Sequence, residues 1–122
     1  MLTLMATVLV AGLAVAPSTE QAPTNVEFRE DSGKINYMRI QQVGETFGPP
    51  SDSIAVEVVI KLDTLPANAF GFSLRNNANL ASHQGMLDIL RDAFFNNHPV
   101  TIEYNIIPSK TNGILLRASV QK

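Results

Sequence analysis

The sequence predicts a mainly β domain with one helix, in the order β-β-β-α-β-β. Two observations carry that prediction. Apolar side chains alternate with polar ones in segments spread between Val26 and Val120, the period of strands with one buried face. In one segment only, "SHQGMLDILRDAFFNNHPVTIEY" at 82–104, the apolar spacing changes to three and four. That is the period of a helix that buries one stripe.

The first strand is expected over Val26–Ile40. Val26 and Phe28 alternate with Glu27 and Arg29, and "EDSG" at 30–33 reads as a turn signal. Ile35 and Tyr37 then share one face, and Met38 and Ile40 the other, a change of phase that marks a bulge or sharp bend. Residues 43–53, with two glycines and two prolines, form a loop. Ile54 to Leu62 is the clearest strand, with Ile54, Val56, Val58, Ile60 and Leu62 on one side. Phe70, Phe72 and Leu74 give a third, and an Asn-rich loop at 76–81 follows.

Ser82 is the expected N-cap of the helix, its hydroxyl accepting a free backbone N–H of the first turn. Met86, Leu87, Leu90, Ala93 and Phe94 form the apolar stripe over about three turns. Asn96 or Asn97 can take the left-handed conformation that ends a helix, and Pro99 prevents its continuation. Val100, Ile102, Tyr104 and Ile106 alternate as strand four, and Ile114, Leu116, Ala118 and Val120 as strand five.

A chain of 122 residues, 45% hydrophobic, suffices for one domain with a compact core. The net charge of −2 and the scattered lysines and arginines argue against nucleic acid as ligand. With no cysteine, disulfides, thiolate catalysis and cysteine-ligated zinc are excluded. Met1 to Thr19 carries no charged side chain, and the apolar run Leu2–Ala16 matches the core of an export signal. It is shorter than the roughly 20 residues of a membrane span. Small residues stand at the −3 and −1 positions of a cut after Ala14 or Ala16. The basic start usual for such a signal is missing, and a core helix or strand is the competing reading. The expected organisation is an export signal at 1–16, a flexible linker at 17–25 and a folded domain at 26–122. This predicts a secreted or periplasmic protein with no membrane span after cleavage.

The element order fits a five-stranded Greek-key barrel of the OB type, whose helix lies between strands three and four. An open α+β sheet with one helix on its face is the alternative. In the barrel the helix closes one end. Burying Met86, Leu87, Leu90 and Phe94 there contributes on the order of 1.5–3 kcal/mol each before entropy costs.

"GMLDILRDAFFNNHPVTIEYNI" followed by "NGILLRASV" resembles the C-terminal half of small secreted bacterial OB-type proteins, among them the B subunits of AB5-type toxins. The resemblance implies export, an OB barrel, and ring assembly with glycan binding. The chain departs from those subunits in lacking their common disulfide, and no sugar-binding residue can be transferred by position.

The residues themselves carry no catalytic signature. No G-x-S-x-G elbow, P-loop, dinucleotide fingerprint or H-E-x-x-H is present. His83 and His98 flank the helix roughly 22 Å apart, too far for one metal site. Asp88 and Asp92 share the polar helix face with Arg91, a solvated charged surface. Glu57 and Glu103 lie on polar strand faces, and "NNANLASH" reads as a β-to-α connection or a polar binding loop. The expectation is a non-catalytic binding module with no cofactor or metal, taking an oligosaccharide or a protein partner. The alternative is a structural subunit of a secreted homo-oligomeric ring or an inhibitor-type partner protein. OB barrels bind over their second and third strands, framed by two loops, here about 44–52 and 107–113. The candidate contacts are Phe47, Lys61, Arg75, Lys110 and Asn112.

Overall fold

Lys34 divides the first predicted strand. The computed structural model describes residues 25–122. The expected export signal at 1–16 lies outside the described residues, as does the linker except Asn25. Strands β1 (Glu27–Gly33) and β2 (Ile35–Ile40) are followed by β3 (Val58–Leu62), β4 (Ala69–Phe72), helix α1 (Leu80–Phe95), β5 (Val100–Ile106) and β6 (Asn112–Ser119). Among the described residues the sheet thus has six strands, not the expected five. "EDSG" is strand rather than turn: Asp31 lies opposite Ile102 and Gly33 opposite Val100.

The strands form one mixed sheet in the order β1-β5-β6-β4-β3-β2. Every pairing is antiparallel except that of β4 with β6. The two strands at its ends, β1 and β2, are consecutive in the chain. Their junction is tied to the turn after β3. The Lys34 N–H donates to Asp63 Oδ1 at 2.8 Å, the Asp63 N–H donates to the Lys34 carbonyl at 2.8 Å, and Thr64 Oγ1 donates to the Ser32 carbonyl at 2.7 Å.

A register shift between Ile35 and Tyr37 bends β2. It also corrects the predicted facing, for Ile35 enters the main core while Tyr37 packs on a separate cluster. The main core gathers Val58, Ile60, Leu62, Phe70, Phe72, Ile102, Tyr104, Ile106 and Leu115 around Met86, Leu90 and Ala93 of α1. The Phe70 and Tyr104 rings meet at 4.3 Å. The second cluster is Ile54, Val56, Val59 and Ala69, covered by Tyr37 and Phe47. The predicted strand 54–62 therefore splits at Glu57. Beyond it Val58, Ile60 and Leu62 face the main core, and before it Ile54 and Val56 face the second cluster.

In β6 it is Leu115 that is buried, while Ile114 and Leu116 are exposed. A register shift against β5 at Glu103/Tyr104 leaves Leu116 as the extra residue and turns Ala118 back toward the core. Helix α1 begins two residues before Ser82. Its N-cap is Asn79, with no side-chain cap bond, and the Asn79 N–H is accepted by Asn77 Oδ1 at 2.8 Å. Its end is as expected: Asn97 stands at φ 55° and the His98 N–H returns to the Ala93 carbonyl at 2.9 Å. Among the described residues no helix is long and apolar enough to cross a membrane.

Candidate ligand-binding surface

Loops 43–53 and 107–111 are far apart in sequence and bonded together in space. The Asp52 carboxylate accepts the Thr111 N–H at 2.8 Å, the Thr111 hydroxyl at 2.5 Å and the Asn112 N–H at 3.3 Å. Asn112 answers with Nδ2 donating to the Asp52 carbonyl at 2.8 Å, while its Oδ1 accepts the Ala69 N–H at 3.1 Å. Lys110 Nζ donates to the Ser51 carbonyl. Burial pushes the Asp52 carboxyl up, but the Thr111 hydroxyl, the two backbone N–H groups and the Lys110 charge more than offset it, so its pKa lies below the ordinary carboxylate value. Gly48 makes the approach possible. It stands at φ 106°, and a Cβ there would lie 2.6 Å from Asn112 Nδ2.

The stitched loops wall a groove of about 680 Å³. Ile54, Ile106, Ile107 and Ile114 supply much of its apolar surface, and Asp52, Asn105, Lys110 and Asn112 are among its polar groups. Asn105 Oδ1 is buried and has no hydrogen-bond partner. An unpaired buried acceptor is costly, and Asn105 stands in the groove wall.

Beside the groove, Phe47 bridges to Ile54, with N–H···O bonds of 2.9 Å in both directions. Its ring lies 6.2 Å from that of Tyr37. Tyr37 pairs with Lys61 and Arg39 with Val59 across β2 and β3, so all three polar or aromatic side chains share the face that Phe47 covers. The Lys61 ammonium stands 5.4 Å from the Tyr37 ring centre and 5.7 Å from that of Phe47, and the Arg39 guanidinium 6.0 Å from that of Phe47.

Of the five residues singled out from sequence, Lys110 and Asn112 meet at the groove, and Phe47 and Lys61 meet on the adjoining shelf. Arg75 is engaged elsewhere. Its guanidinium holds Glu57, whose side chain is 3% exposed, at 3.0 Å, and donates to the Ala55 carbonyl at 3.0 Å. Glu57 Oε1 also accepts the Leu74 N–H at 2.9 Å. Burial raises the Glu57 pKa, and the Arg75 hydrogen bonds, the Leu74 N–H and the Arg75 charge together bring it below the ordinary value. A carboxylate depressed in the folded state contributes stability above its unfolded pKa of about 4.3 and loses it as pH falls through the folded value. Urea unfolding should therefore show wild type more stable than Glu57→Gln at pH 7, with the gap closing as pH drops below about 4. A gap unchanged down to pH 3 would refute this.

Other titratable groups are also committed. Tyr104 Oη donates to Asp31 Oδ2 at 2.5 Å; burial first, then the Asp31 hydrogen bond and charge, push its pKa up to about 12, against the opposing Arg29. His98 Nε2 donates to the Gln121 carbonyl at 2.8 Å. The His83 ring lies 5.4 Å from Phe72, its Nδ1 3.4 Å from Ser73 Oγ. Among the described residues no three His, Cys, Asp or Glu side chains gather as a metal site would require.

No protein-family model matches the chain, and no curated protein matches it. Solved structures do. A human heat-labile enterotoxin in complex with a blood group A antigen analogue aligns with a TM-score of 0.53 at 17% identity, covering 89% of this chain and 100% of the other. A porcine heat-labile enterotoxin variant in complex with an inhibitor aligns at 0.50 and 16% identity, covering 88% and 100%. In fold, the chain resembles heat-labile enterotoxin. The likeness to AB5-type toxin B subunits read from α1, β5 and β6 is thus borne out as a distant one.

Three residues of the surface escaped sequence reasoning. Alternation puts Tyr37 on the face of Ile35, and the bulge at Asn36 that turns it to the other leaves no mark in composition. Arg39 then had no aromatic neighbour to suggest a role. Asn105 reads as an ordinary outward strand residue, and nothing in the alternation of β5 marks that its oxygen is buried beside the groove.

Proposed function

We propose that the chain is a secreted or periplasmic, non-catalytic binding module built on an OB-type barrel, with β1 and β2 as the two halves of one long barrel strand. Its ligand is an oligosaccharide or a protein partner, held in the groove between loops 43–53 and 107–111. The observation that carries this reading is the groove itself. Asp52 and Asn112 fix its two loops, its walls are largely apolar, and Lys110 places a cation among them. Open concave sites with a few placed polar groups are the usual form of ligand sites. The engagement of Glu57, Asp52, Tyr104 and His98 in internal hydrogen bonds supports a role without catalysis. A fold neighbour solved with a blood group A antigen analogue supports a sugar as ligand.

A glycan array probed with the exported protein should give binding that Lys110→Ala lowers at least threefold. Absence of binding to every glycan would remove the oligosaccharide and leave the protein partner.

A second reading, a subunit of a homo-oligomeric assembly, rests on one surface. Phe28, 73% exposed on β1, lies opposite Asn105, which lies opposite the exposed Ile114. With Val26 and Leu116 they leave an apolar strip on the sheet. Light scattering of a ring would give a multiple of the protomer mass, reduced to one by Phe28→Glu. A wild-type monomer would remove this reading.

A further inference from the structure

The shelf formed by Tyr37, Phe47, Arg39 and Lys61 has a chemistry the groove lacks. It carries two cations and no anion. Each ion pair among the described residues joins other partners: Arg29 with Glu27, Arg75 with Glu57, Arg91 with Asp88 and Arg117 with Glu103. Arg39 and Lys61 are left without an ion-pair partner among these residues and stand against one ring. Both reach the same aromatic ring, which holds them in place by cation–π attraction. The ring is itself half-buried against Val59 and its neighbours, so Phe47 is a fixed platform rather than a free side chain.

We infer that this shelf binds a sulfated sugar, the sulfate ester held between the Arg39 guanidinium and the Lys61 ammonium and the sugar ring lying against Phe47. The inference rests on the reading of the chain as an oligosaccharide-binding module and assigns the class of sugar. An aromatic edge or face offers a surface for the C–H groups of a pyranose. The cations come from different strands, β2 and β3, and so approach from different directions. A tetrahedral sulfate presents three oxygens and meets both, whereas a planar carboxylate is matched to a single guanidinium fork. Nucleic acid shares the anion and the stacking, but here the basic groups number two and do not continue as a stripe along which a phosphate backbone could run.

The test is a titration of the exported, full-length mature protein at low salt with four probes. They are a heparin-derived hexasaccharide, the same hexasaccharide chemically desulfated so that it keeps its uronate carboxylates, a neutral chitohexaose, and a short single-stranded oligothymidylate. The sulfated form should bind at least tenfold more tightly than any other probe, and raised salt should weaken it. Arg39→Gln and Lys61→Gln should each lower its affinity at least fivefold, and Arg39→Lys should restore most of the loss. Unchanged urea midpoints in Arg39→Gln, at an exposed position, guard against a folding artefact. Equal binding of the desulfated form, tighter binding of the oligothymidylate, or indifference to both substitutions overturns the inference. Chitohexaose binding that responds to Lys110→Ala but not to Arg39→Gln would leave the groove standing while the sulfate site falls. Sulfate-dependent binding without any chitohexaose binding would support the shelf apart from the groove, and no binding of any saccharide removes the sulfate site together with the oligosaccharide reading of the groove.

Discussion

Leu90→Ala is expected to lower the stability of the protein by roughly 3–5 kcal/mol, the upper part of the range for buried leucines. Leu90 has no solvent exposure and stands between Met86 and Ala93 on the stripe that α1 turns to the main core. A cavity at the middle of a stripe is flanked by side chains fixed at both ends, so it collapses poorly, and poorly collapsing sites pay the larger penalty. Phe95, on the same helix and 76% exposed, provides the contrast: Phe95→Ser should change stability by no more than about 0.5 kcal/mol. Urea unfolding of both variants measures the difference. Saccharide binding by the folded fraction of Leu90→Ala should match wild type, because α1 contributes no residue to the groove or the shelf. A Leu90→Ala cost below about 1 kcal/mol would mean that the helix lies on the sheet without its stripe being part of the core.

The helix and β5 were legible from sequence because their signals are local. A stripe at helical spacing, an Asn that can adopt positive φ and a following proline specify where α1 ends, and Val100, Ile102, Tyr104 and Ile106 alternate without interruption and are all buried. The errors fall where the sheet bends. Ile54, Val56, Val58, Ile60 and Leu62 alternate as perfectly as β5 does, yet they serve two clusters. The one hint in that run is Glu57, and its meaning depends on Arg75, 18 residues away. The extra residues at Asn36 and Leu116 shift the facing of everything beyond them, and nothing in their identity distinguishes them from neighbours that stay in register. The same limit applies to the site. Lys110, Asn112, Phe47 and Lys61 could be chosen because loop positions and strand faces follow from element order. Their sorting into a groove and a shelf depends on Asp52, whose carboxylate binds backbone groups no spacing rule points to. Arg75 follows from the same grounds, and in the structure it is the partner of a buried acid.

The bend at Glu57 also explains where the second large effect should fall. The segment carrying Ile54 and Val56 leaves β3 and crosses β4 at Gly71, and the Val56 side chain occupies the space a Cβ on Gly71 would need; the Val58 carbonyl would lie 2.6 Å from it. One of these obstacles is backbone in the middle of the sheet and cannot swing aside. Gly71→Ala is therefore expected to cost about 3 kcal/mol, at the top of the range for overpacked sites. Gly85→Ala meets nothing within 4 Å on the exposed face of α1, and should instead stabilise by roughly 0.5–1 kcal/mol, since glycine is a poor residue for a helix interior. The two substitutions add the same methyl group and should move the urea midpoint in opposite directions. Gly71→Ala carries a further consequence for binding. Pushing Val56 away from β4 moves Ile54, to which Phe47 is bonded by both backbone groups, and Phe47 is the platform of the shelf. Affinity for the sulfated hexasaccharide should fall in the folded Gly71→Ala protein although Phe47, Arg39 and Lys61 are unchanged. Retained affinity together with lost stability would show that the shelf is held by Tyr37 and Val59 alone, independently of the crossing segment.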